Sequence, residues 1–70
     1  MGARIKRARQ NAGLTQQAVA DSLGIMLRSY QKYEEDASEP SLHYLISLSV
    51  VFNTTTDHLL GLTDEEPSDE

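Results

Sequence analysis

Between residues 27 and 32 the chain reads LRSYQK. Wound as an α-helix, at ~100° per residue, Leu27, Gln31, Arg28 and Lys32 fall within one arc of roughly 140°. Tyr30 and Tyr33 fall on the opposite side. Such a helix packs through its tyrosines and offers two cations, an amide and an aliphatic tip outward. A guanidinium donates in pairs to guanine, a glutamine amide matches adenine, and an aliphatic tip meets the thymine methyl. The same arc also describes an ordinary solvated polar face. The helix alone leaves both readings open.

Other reactive side chains do not assemble. His43 and His58 are fifteen apart on separate expected helices, and there is no cysteine. That is no ligand set for zinc or its relatives. Ser47, His43 and Asp57 are present, but nothing in their spacing orients them as a hydrolytic triad. The sequence therefore implies no enzyme, no metal and no cofactor.

Charge is divided along the chain. The formal net charge is −5, yet all six cations (Arg4, Lys6, Arg7, Arg9, Arg28, Lys32) precede residue 34. The first 33 residues carry +5 and the remainder −10. Any surface for a polyanion must come from the first half. With 70 residues and no disulfide, stability rests on local helix packing or on dimerisation. No apolar run approaches the ~18 residues of a membrane span, and the start Met1-Gly2-Ala3-Arg4 is no signal peptide. These features suit a cytoplasmic protein with no membrane partner.

Gly13, Gly24, Pro40, Gly61 and Pro67 divide the chain, and apolar residues recur between them at helical spacing. Five helices are expected: 3–12, 16–23, 27–34, 42–52 and 56–60. Thr15, Ser41 and Thr55 or Thr56 suit N-caps, and Gly13, Gly24 and Gly61 suit left-handed C-terminal caps. In the fourth helix Leu42, Leu45, Ile46, Ser49 and Phe52 are expected in the core. That leaves Tyr44, Val50 or Val51 for exposure or an interface. The domain is expected to span 1–62, followed by an acidic, disordered segment at 63–70.

Residues 16–33 carry the most specific pattern: QQAVADSLGIMLRSYQKY. Two helices that cross steeply over a short turn need a small residue at the contact and a left-handed residue in the turn. Ala20 and Gly24 stand four apart in those places. Val19, Leu23, Ile25, Tyr30 and Tyr33 supply apolar flanks.

With these pieces in order, the chain resembles the lambda-repressor-like, XRE-type helix-turn-helix family of small bacterial and phage regulators. The resemblance covers about residues 3–62. It runs through RIKRAR, GLTQQAVADSLGI, YQKYE, EPSLHYLISLSVVF and DHLLG. It implies an all-α, five-helix DNA-binding domain with a central helix-turn-helix. It further implies a homodimer on double-stranded DNA, with the third helix in the major groove and half-sites about one turn apart. By position, Leu27, Arg28 and Lys32 match the base-facing places, with Ser29 and Gln31 at their edges. Gln16 matches a phosphate-contacting glutamine, with Gln17 beside it in the DNA-binding set. Arg9 and Glu34 match a structural ion pair. The function implied is a sequence-specific transcriptional regulator, expected to be a repressor.

Two stretches depart from the family pattern. Where a basic, glycine-containing loop is usual, the chain has Glu35, Asp36, Ala37, Ser38 and Glu39. Three acids near a phosphate weaken binding, although Asp36 can take the left-handed turn that glycine usually fills. Met26 stands where Ser or Thr normally caps the third helix, leaving that helix start to water or phosphate. The acidic loop keeps a second function open: a protein-interaction module of the same fold, such as an antirepressor, antitoxin or partner subunit, with a basic protein partner.

Overall fold

The structure, a computed structural model, describes residues 1–63. Except for Thr63, the expected acidic segment lies outside the described residues. Five helices follow in order: α1 (Gly2–Asn11), α2 (Gln16–Leu23), α3 (Leu27–Glu34), α4 (Leu42–Val51) and α5 (Thr56–Leu60). Among the described residues there is no strand. The expected boundaries of α2, α3 and α5 are met, while α1 sits one residue earlier and α4 ends one residue sooner.

Local chemistry sets these limits. Thr15 Oγ1 accepts from the Ala18 N–H at 3.1 Å, Ser41 Oγ from Tyr44 at 3.3 Å, and Thr55 Oγ1 from His58 at 3.0 Å. Each hydroxyl satisfies one donor that the first helical turn leaves unpaired. Gly24 closes α2 at φ 69°, a conformation in which an L side chain is strained. At the start of α3, Met26 provides no side-chain cap.

The core forms where the five helices converge. Ile5, Ala8, Val19, Ala20, Tyr30, Leu45, Leu48, Phe52 and Leu59 are buried, with Leu23, Ile25 and Tyr33 packed against them. Helix α3 lies against both α1 and α2, while α4 packs on α2 and α5. The small Ala20 is fully buried, as expected at the α2–α3 contact.

Two α4 expectations are overturned. Leu42 and Ile46, expected in the core, are 70 % and 49 % exposed, and Leu48 is fully buried instead. Val50 is exposed as expected, whereas Val51 packs on the core and Tyr44 is half-buried. Helix α4 is apolar around nearly its whole circumference, so periodicity alone does not identify its buried arc.

Gly2 had no expected role. A Cβ there would stand 2.5 Å from the Glu34 carbonyl oxygen and 2.8 Å from that of Tyr33. Only glycine lets α1 begin on the C-terminal carbonyls of α3. Asp36 adopts φ 60°, so the turn survives without glycine. Its Oδ1 accepts the Gly2 N–H at 2.9 Å. One acid of the loop thus caps α1, which no side chain of its own N-cap residue does.

Candidate nucleic-acid interface

Arg9, Gln16 and Tyr30 converge on one buried carboxylate, that of Glu34. Arg9 Nε donates to Glu34 Oε2 at 2.7 Å, and Arg9 Nη2 to Oε1 at 3.4 Å. The Tyr30 hydroxyl donates to Oε2, and Gln16 Nε2 donates to Oε1 at 3.0 Å. A carboxylate offers about four acceptor positions, so Glu34 is saturated. The Arg9 and Glu34 side chains are only 12 % and 4 % exposed, which places the pair inside the protein. Arg9 Nη1 also donates to the Leu14 carbonyl at 2.9 Å, tying the α1–α2 connection to the same cluster.

Titration follows this geometry. Burial pushes the Glu34 carboxyl up, but the hydrogen bonds from Arg9, Tyr30 and Gln16 outweigh it and hold the group below its ordinary value. The Tyr30 phenol is pushed well above its usual range, first by burial and then by its bond to the Glu34 carboxylate. Arg9 is raised, chiefly by its hydrogen bond to Glu34.

The network reaches outward from Glu34. Gln31 Nε2 donates to Gln16 Oε1 at 3.1 Å. Gln31 is therefore half-buried and turned toward α2, away from the outward arc expected of it. Leu27 is likewise half-buried rather than exposed. Gln17 is exposed, and its amide donates to Asp21 Oδ1 one turn along α2, at 2.8 Å.

Arg28, Ser29 and Lys32 form the exposed edge of α3. Arg28 Nη1 lies 3.1 Å from Glu35 Oε2 and 3.3 Å from Oε1. Both partners are more than half exposed, so water and salt screen the pair and it is worth about 0–1 kcal/mol. Among the described residues no ion pair engages the Lys32 ammonium. Behind this edge Tyr30 is fully buried, and its ring meets that of Tyr33 edge-on, with centroids 6.3 Å apart. The tyrosine anchoring expected from the sequence is present.

Spacing on α3 carried a signal for one contact that the sequence reading missed: Tyr30 and Glu34 stand four apart on one helix face. Arg28 reaches Glu35 only where the chain leaves the helix. Nothing in the sequence marks the pairing of Gly2 with Asp36. Among the described residues no cluster of His, Asp or Glu could hold a metal ion. Among them, too, no helix is long and apolar enough to cross a membrane.

Two short helices joined through a left-handed glycine, the second anchored by a buried tyrosine and edged with cations, define a helix-turn-helix domain. A family model described as Helix-turn-helix matches residues 5–59, and the chain belongs to that family, with the five-helix lambda-repressor-like fold. It is 39 % identical over all its 70 residues to the HTH-type transcriptional regulator ImmR of Bacillus subtilis, covering 55 % of that protein. To the SPbeta prophage-derived HTH-type transcriptional regulator YonR of the same organism it is 44 % identical, over 84 % of this chain and 55 % of YonR. To the cryptic phage CTXphi transcriptional repressor RstR of Vibrio cholerae it is 34 % identical, over 89 % of this chain and 57 % of RstR. The chain spans about half the length of the curated relatives it matches. No solved structure matches it.

Proposed function

We propose that this domain is the DNA-binding part of a transcriptional regulator, a repressor that reads a specific sequence in the major groove. One observation carries this: Arg28 and Lys32 stand one turn apart on the exposed edge of a helix whose opposite side is locked by Tyr30 and Glu34. A rigid cationic edge of this kind fits B-DNA, whose major groove admits one α-helix. Arg28 and Lys32 donate to base edges there, with Leu27 and Ser29 alongside. Gln16, at the first turn of α2, donates to a backbone phosphate and sets the register. The regulator and repressor names of the relatives support the same function.

The domain acts as a homodimer. Leu42, Ile46 and Val50 form an exposed stripe along α4, four residues apart. An apolar row on a helix that carries none of the DNA-facing residues supports a two-fold interface. The cytoplasm is the compartment where such a protein meets its operator.

Selection of bound duplexes from a random pool at low salt tests the function. The expected product is a palindrome with half-sites about one helical turn apart. A pool that enriches no motif overturns it, and stable capture of a basic protein by the same chain would then establish the interaction module instead.

A further inference from the structure

Glu34 sets the sense of the Gln16 amide directly and that of the Gln31 amide through it. Glu34 is acceptor-only and saturated, so Gln16 must present its NH2 group to it. A flipped Gln16 amide would set its oxygen against the carboxylate. With its nitrogen toward Glu34, the Gln16 oxygen needs a donor, and Gln31 Nε2 supplies it. The orientation thus runs from the Arg9–Glu34 ion pair through Gln16 to Gln31.

We infer that Gln31 is a positioning residue for phosphate binding: it occupies the Gln16 oxygen so that Gln16 offers a phosphate its second amide hydrogen. This rests on Gln16 contacting phosphate, as proposed above. Without Gln31 the Gln16 oxygen is unpaired. Glu34 then anchors the amide alone, and its second hydrogen is aimed less firmly at the phosphate. Gln31 therefore acts on DNA affinity through Gln16 and carries no base preference of its own. Its place on α3, beside Arg28 and Lys32, suggests a base reader, yet its amide is committed to α2.

Four proteins decide the matter: the parent chain, Gln16→Met, Gln31→Met and the double variant. Each is titrated with one mixed-sequence duplex at low salt. Gln16→Met is expected to weaken binding about tenfold, the loss of a hydrogen bond to a charged group. Gln31→Met is expected to weaken it about three- to tenfold, with helicity and melting temperature retained. The double variant is expected to bind no more weakly than Gln16→Met, because Gln31 has nothing left to position. Unchanged affinity in Gln31→Met, with a loss in Gln16→Met, overturns the inference alone. Additive losses also overturn it, since Gln31 would then have a contact of its own. Full affinity in Gln16→Met overturns the phosphate contact and the inference together. If methionine disturbs packing, Gln31→Asn, too short to reach α2, tests the same bond.

Discussion

Arg9, on α1, holds Glu34, the last residue of α3, through a 2.7 Å ion pair inside the protein. This contact joins α1 to the end of the helix proposed to face DNA. Tyr30 and Gln16 donate to the same carboxylate, so one charge fixes three helices. A buried ion pair costs desolvation on both sides, and its net worth against an apolar replacement is small. Removing one partner is another matter, because the remaining charge stays buried and uncompensated.

Arg9→Ala should therefore destabilise the domain by about 3–5 kcal/mol. A 70-residue domain has only about 3–10 kcal/mol in total, so this variant should be largely unfolded at 37 °C. Glu34→Gln also leaves Arg9 without its counter-charge but keeps one acceptor oxygen, so its loss should be smaller. Urea unfolding followed by circular dichroism measures both. An Arg9→Ala variant as stable as the parent would show that the pair contributes nothing.

The same cluster sets the pH limits of the fold. The folded-state pKa of Glu34 lies below its ordinary 4.5. Its contribution is then fully present above that value and is lost as pH falls through the folded pKa. Tyr30 has the opposite sign. Its pKa is raised above the ordinary 10.0, so its contribution is present below pH 10 and is lost at higher pH. Melting temperatures measured from pH 2 to 11 should fall at both ends. Glu34→Gln should flatten the acid limb, and Tyr30→Phe the alkaline limb.

On the proposed reading of α3, Glu35 competes with DNA for Arg28. Its carboxylate sits 3.1 Å from the guanidinium at the exposed edge of α3. Glu35→Gln frees the cation and removes a repulsive charge. Binding to the selected operator should tighten about three- to tenfold at low salt, and the gain should shrink as salt screens both effects. Thermal stability should move little, since the pair is exposed. Fluorescence anisotropy across a salt series reads this directly. Weaker binding by the variant would mean that Glu35 holds Arg28 in its reading pose.

The exposed row on α4 makes its own demand. Ile46 is 49 % exposed at the middle of that row, between Leu42 and Val50. A glutamate there meets water in a monomer and an apolar partner in a dimer. Ile46→Glu should sediment as a folded monomer and bind an operator half-site without two-site cooperativity. A dimer mass retained by this variant would remove α4 from the interface.

Much of this molecule was legible in its residues, for identifiable reasons. Thr15 and Gly24 punctuate α2 with chemistry that works locally, so its ends could be read without knowing the fold. Tyr30 could be placed inside because polar residues surround the rest of its helix. Helix α4 resisted because Leu, Ile, Val and Tyr occupy nearly every direction, and only its packing on α2 and α5 selects the buried arc. The site was half legible. The exposed edge of Arg28 and Lys32 was found by charge and spacing. The turn of Gln31 toward Gln16 depends on how α2 and α3 meet, fifteen residues apart in sequence, and on a carboxylate that saturates first.

Arg28 and Lys32 are distinguishable by what their loss changes. A guanidinium reads guanine through two parallel hydrogen bonds, whereas an ammonium is a compact point charge. Arg28→Ala should cost about 1–3 kcal/mol on the selected operator and relax preference at one base pair per half-site. If Lys32 instead sits over a phosphate, Lys32→Ala should weaken all sequences alike and make the salt dependence shallower by about one unit per protomer. If the proposed dimer places about five cations on phosphates, log K against log salt should fall with a slope near −4 to −5. Repeating the duplex selection with each variant separates the two roles. An unaltered motif from Arg28→Ala, with an unaltered salt slope from Lys32→Ala, would move the reading face off this edge of α3.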